Sequence, residues 1–381
     1  MKKIIFTIAL AVSLLVIANG VRSQEVSKGK QLATMLTNKE DPEKVLRLAQ
    51  NIDSANWTDS KGGCLLAYAA YLGFTDVCKV LLEKGAKVDL VYADGSTALI
   101  SASHNGHADI VRLLLDHGSN ANARDTTGST ALMTASYYNF PEVVKLLLDH
   151  EAKTDFQRSD GHTALMFASF FGYTEIAKLL LDHGAKLNMQ ERHGSTALFL
   201  ASHNGYPGIV KLLLDKGADL ELPINGGTTP LIIASDSGYI EIVRLLLDKG
   251  AKVDRTDDDG FTAFANACYT GHSEVAKLLL DRGANLDWQN PGGFTALMIA
   301  SQYNRAEVVK LLLDKGVKLD LQVPTGPTAL IIASAHGNTE IVKLLLGKGA
   351  NTELKTVEGK TAYDYATNDE IKTLISGYSK K

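Results

Sequence analysis

An all-α solenoid of stacked helix–turn–helix units joined by hairpin-like loops is predicted by three features of the sequence. Glycine recurs every thirty-three residues, at Gly62, Gly95, Gly128, Gly161, Gly194, Gly227, Gly260, Gly293, Gly326 and Gly359. Threonine stands two places after each of these except the first, from Thr97 through Thr361. A leucine triplet, as in Leu113–Leu115 or Leu311–Leu313, occupies the second half of the unit. A fixed period without insertions marks an array in which each layer buries its apolar face against its neighbours. At helix spacings of roughly 8–10 Å, about ten layers make a rod on the order of 100 Å long.

Within a unit, Thr97 is placed to cap the first helix by accepting from unpaired backbone N–H groups. Pro230 follows Thr229, in the first turn, where a missing N–H costs nothing. Leu99 and Ala102, then Ile110, Leu113 and Leu114, keep the three-and-four spacing of buried helix faces. Gly106 separates the two helices and Gly118 ends the second, where a left-handed residue is commonly required. Asn139 and Asn304 replace the glycine between helices, and asparagine tolerates positive φ best among the other residues. Glu151 replaces the helix-ending glycine, so that turn is expected to be strained or reshaped.

These features resemble the ankyrin repeat, whose signature is a period of thirty-three and a T-P-L-H-x-A start. The chain reads T-A-L-x-x-A, with T-P-L at Thr229–Leu231 and G-H at Gly106–His107 and Gly271–His272. The resemblance spans Gly62 to Glu358 as nine units. It departs from the family at the histidine, replaced by Ile100, Met133, Met166, Phe199, Ile232, Met298 and Ile331. Apolar packing is expected there in place of the family's hydrogen bonds.

Taken in order, residues 1–23 read as a secretory signal. Lys2 and Lys3 precede the mainly apolar run Ile4–Ile17, and Ala18-x-Gly20 or Val21-x-Ser23 offers a cleavage site. That run is short for a membrane span, so no span is expected in the mature chain, and a periplasmic or secreted location is expected. Residues 24–61 read as a capping half-repeat, because Glu43–Ala49 aligns with Asp76–Leu82 one period later. Asn56-Trp57-Thr58 matches a glycosylation acceptor, but the motif is short. Nine repeats fill 62–358, and 359–381 form a C-terminal cap ending in Ser379-Lys380-Lys381. Lys79, Arg112 and their equivalents follow an acid by three residues in eight repeats, which predicts i,i+3 pairs on a solvated face.

The net charge of −4 and the lack of a basic stripe with interleaved aromatics exclude a nucleic-acid partner. The three cysteines, Cys64, Cys78 and Cys268, have no metal-ligand spacing and read as small packing residues. A Cys64–Cys78 bridge is the alternative in an oxidising compartment. No phosphate loop, HExxH or nucleophile elbow occurs. His104 and His203 lie three repeats apart, roughly 30 Å, too far to share an ion or a substrate atom. No enzyme activity, cofactor or metal is expected.

The informative variation lies at the two positions before the turn between helices. Tyr71, His104, Tyr137, Tyr138, Phe170, Phe171, His203, Asp236, Tyr269 and Tyr303 stand there. The ankyrin resemblance implies that these positions line a concave, partner-contacting surface. Large aromatics with no helical need to be there suit a binding face; the alternative is that they glue adjacent layers together. Tyr92, His162, Arg192, Phe261 and Phe294, at the hairpin tips, read as ordinary solvated turns or as additions to that face. The expected function is a monomeric, exported, non-enzymatic scaffold for a folded protein partner, by resemblance to exported bacterial ankyrin proteins an envelope enzyme that it protects or inhibits. An effector released to a host or prey cell, and an enzyme with a degenerate concave site, are the alternatives. Cell fractionation separates the first two, and a hydrolase screen tests the third.

Overall fold

The computed structural model describes residues 27–378; the segment read as a signal and the Ser379–Lys381 tail lie outside them. Among the described residues there are twenty-two helices and no strand beyond three isolated bridges, Thr58↔Cys64, Thr256↔Thr262 and Gln289↔Thr295. The helices alternate short and long, as in Ala98–His104 then Ala108–Asp116, and this pair recurs in every repeat.

Local chemistry explains each boundary. The threonine hydroxyls of Thr97, Thr130, Thr163, Thr196, Thr229, Thr262, Thr295 and Thr328 each accept the backbone N–H three residues on, at 3.1–3.3 Å. Each such cap is worth about 1 kcal/mol. Cys64, in the same place, makes no capping bond. Asn139, Asn304 and Glu151 adopt φ of 64°, 56° and 61°, the conformation that glycine holds elsewhere. Glu151 is therefore strained rather than reshaped, at a cost of roughly 1–2 kcal/mol.

The core is a continuous seam along the stack. The middle leucine of every triplet, from Leu114 and Leu147 to Leu312 and Leu345, is wholly excluded from solvent. The residues replacing the family's histidine, Ile100, Met133, Met166, Phe199, Ile232, Met298 and Ile331, are all buried. All three cysteines are buried free thiols, so Cys64 and Cys78 are not bridged. Burial pushes the pKa of each of them up, which keeps them unreactive.

Layers are also joined by polar rungs that the periodicity does not announce. Asn56, Asp89, Asn122, Asp155, Asn188, Glu221, Asp254, Asp287 and Asp320 each accept a backbone N–H thirty-one residues ahead, at 2.7–3.2 Å. Asn56 also donates to Gly85 O at 3.1 Å, so its amide is already engaged in the stack.

The expected i,i+3 pairs mostly do not form. Among the described residues only Lys310–Glu307 closes, at 2.7 Å. The ion pairs run between layers instead: Asp182–Lys216, Asp215–Lys249, Asp248–Arg282, Asp281–Lys315 and Asp314–Lys348, at 2.7–3.0 Å. Stacking sets the last residue of one helix beside the cap of the next, a juxtaposition that a single-helix reading cannot see. Being exposed, each pair is worth about 0–1 kcal/mol.

Residues 24–61, expected as a half-unit, contain two helices among the described residues, Lys28–Thr37 and Pro42–Gln50. The first lacks the threonine and leucine signature, and its Gly29 lies under Trp57. At the other end, Asp364 accepts from the Thr361 N–H and hydroxyl and closes a four-residue helix, Ala362–Tyr365.

Candidate functional interface

The ten predicted positions all stand at the end of a first helix, because three-and-four spacing from the buried leucine leaves these residues outside the core. Tyr71, Tyr137, Phe170, Tyr269 and Tyr303 are exposed, by 37–43%. His203 is also exposed, whereas His104, Tyr138, Phe171 and Asp236 are half-buried. The division follows position: in repeats three and four the first residue of each pair points outward and the second packs sideways.

Six of the ten join into one chain of rings across four repeats. Tyr71 meets His104 at 5.6 Å between centroids, and His104 meets Tyr138 at 4.3 Å. Tyr138 meets Tyr137 edge-on at 4.9 Å, Tyr137 meets Phe171 at 5.1 Å, and Phe171 meets Phe170 at 4.9 Å. Tilted and edge-on pairs of this kind are worth about 0.5–1.5 kcal/mol beyond buried area. The expected alternatives, binding face and interlayer glue, are therefore divided: Phe170 offers surface, Phe171 and Tyr138 tie layers together, and Tyr137 does both. Burial, and then Tyr137, push the Tyr138 hydroxyl pKa up.

The remaining four are not part of that chain. His203 stacks on Phe199 of its own helix at 6.2 Å, and Tyr269 and Tyr303 form a separate pair at 4.5 Å. Asp236 lies between the two groups. Its burial pushes its pKa up, partly offset by His272 and His203. Its charge therefore costs stability above the folded pKa, and the cost vanishes as pH falls below the ordinary carboxylate range. Asp236→Asn is expected to raise the melting temperature at pH 7 and to leave it unchanged near pH 3. Melting curves of both proteins across that range check this.

Two supporting rings escaped the sequence reading. Phe167 is nearly buried and meets Tyr137 at 5.3 Å. Tyr173 stacks on Phe171 at 5.5 Å. The available signal was the change at Phe167 from the polar Ser101 and Thr134 of preceding repeats. The tips are also less solvated than expected. His162 stacks on Phe167 at 5.4 Å, and its Nδ1 lies 3.2 Å from Asp160 Oδ1. Tyr92 packs on Tyr68 at 5.8 Å, and Phe261 on Trp288 at 5.5 Å.

Among the described residues no three His, Cys, Asp or Glu side chains are grouped to hold a metal. No helix among them is long and apolar enough to cross a membrane. What the face offers is rigid apolar area with a polar surround, the plan of a protein interface.

Comparison with known proteins agrees with this architecture. A family model described as ankyrin repeats (3 copies) matches residues 31–125, 117–191, 186–257, 251–323 and 317–380. The crystal structure of the human ASB11 ankyrin repeat domain is similar, with 29% identity and a TM-score of 0.53. That match covers 56% of this chain and 96% of the other. No curated protein matches the chain.

Proposed function

Since the chain belongs to the ankyrin-repeat family, we propose that it is a non-enzymatic scaffold, exported and monomeric, that holds a folded protein partner on the ring ladder from Tyr71 to Phe171. The observation carrying this reading is the outward half of the ladder. Tyr137 and Phe170 remain exposed although each is braced by a neighbouring ring. Bracing removes side-chain freedom before binding, so less entropy is lost when a partner docks. Export rests on Lys2, Lys3 and Ile4–Ile17, and an envelope enzyme that is protected or inhibited is the partner type this location suggests.

The test places a photo-cross-linking residue at Phe170 in the native host, with fractionation and N-terminal sequencing of the same protein. A mature chain starting near Val21 or Gln24, released by osmotic shock and cross-linked to one folded protein, is the expected result. Intact Met1–Ser23 on cytoplasmic protein would overturn export, and no specific cross-link would overturn the ladder. Against the identified partner, Phe170→Ala is expected to weaken binding by about 2 kcal/mol or more, roughly thirtyfold. Its melting temperature should barely change, whereas Phe171→Ala should lower stability by part of the about 3–5 kcal/mol lost on deleting a fully buried ring.

A further inference from the structure

A second pattern runs beside the ladder. Five residues after Tyr71, His104, Tyr137 and Phe170, at the start of the second helix, stand Asp76, Asp109, Glu142 and Glu175. All four are exposed, and none forms an ion pair among the described residues, whereas Glu307 and Glu340 share Lys310. The cations of the same helices, Lys79, Arg112, Lys145 and Lys178, lie one turn further from the turn that joins ladder to acids. The ring chain ends at Phe170 and Phe171, and in the next repeat Gly208 interrupts the acid row, which resumes at Glu241 and Glu274 beyond the rings.

From the acids that accompany the rings in these four repeats, and resting on the scaffold reading above, we infer that the ladder receives a basic amphipathic α-helix of the partner protein, laid along the solenoid axis. Charge selects it, and its period is compatible with the layers. The ladder presents ring surface once per layer, at a spacing of roughly 8–10 Å. One face of an α-helix returns every seven residues, about 10.5 Å, so one apolar side chain per heptad meets each layer. A β-strand returns to the same face every two residues, about 6.7 Å, shorter than the layer spacing. Four layers, on the order of 30 Å, take about three heptads. Lysine or arginine on the flank of that helix faces the unpaired acid row, and cationic groups also sit well against tyrosine and phenylalanine rings.

Three synthetic peptides test the inference against the purified full chain by fluorescence anisotropy at low salt. The first has three heptads with leucine once per heptad and lysine or arginine alongside. The second has the same composition with the leucines moved out of register, and the third replaces every cation with glutamate. The expected result is saturable binding of the first, with the second and third at least tenfold weaker. Phe170→Ala should weaken the first about thirtyfold. The paired change Glu142→Lys and Glu175→Lys should weaken the first and strengthen the third, both effects fading as salt is raised. Both variants lie on exposed positions, and unchanged melting curves confirm their folds. Equal binding of the first two peptides, indifference to Phe170→Ala, or no binding of the first overturns the helical occupant. A specific cross-link at Phe170 in cells, obtained alongside such a result, would leave the scaffold reading standing and remove only the helix.

Discussion

Phe264→Ala is expected to destabilise the protein by about 3–5 kcal/mol, the cost of deleting a ring from a closed core. Phe264 is wholly excluded from solvent, and it stands where the other repeats carry a leucine such as Leu231 or Leu297. The next residue, Ala265, replaces the bulky Ile232 and Met298 of neighbouring repeats. The seventh repeat has thus exchanged volume between adjacent positions. The double change Phe264→Leu with Ala265→Ile restores the commoner arrangement and should stay within about 1.5 kcal/mol of the native protein. Denaturant titration measures both, and hydrogen exchange should show the loss centred on the seventh repeat, since each layer contacts only its neighbours. Uniform loosening along the stack would contradict that account.

The second prediction sets two glycines with similar backbone angles against each other. Gly172 and Gly118 have φ of 82° and 79°, so alanine at either costs roughly 1–2 kcal/mol of backbone strain. They differ in what a side chain would meet. A Cβ on Gly172 would approach the Tyr206 ring to 2.5 Å, whereas nothing lies within 4 Å of one on Gly118. Gly172→Ala should therefore cost about 1–3 kcal/mol more than Gly118→Ala, the usual range for overpacking. The same ring-over-glycine contact recurs with Gly205 under Tyr239 and Gly238 under His272. Where asparagine fills the turn, the residue that follows one layer on makes other contacts. Tyr173, which follows Asn139, stacks on Phe171, and Asn338, which follows Asn304, donates to Ser301 O at 2.7 Å. Equal losses for the two alanine variants would show that backbone conformation alone explains these glycines.

That pair of glycines marks the division between what was legible in the sequence and what was not. Period, helix boundaries, threonine caps, the left-handed turns at Asn139 and Glu151 and the buried leucine seam are local matters. Each depends on φ, on spacing of three or four residues, or on a hydroxyl three positions from its N–H, and all of these can be read from consecutive residues. The placement of the ten candidate positions at the ends of the first helices was legible for the same reason, since helical spacing alone sets them there. Their division into outward and bracing rings was decided by the superposition of layers, which brings together side chains about thirty residues apart. So were the support from Phe167 and Tyr173, the Asp182–Lys216 type of ion pair in place of the i,i+3 pair, the Asn56 rungs and the ring over Gly172. A thirty-three-residue period states that layers are alike; only the rotation and offset between them determine which unlike side chains meet.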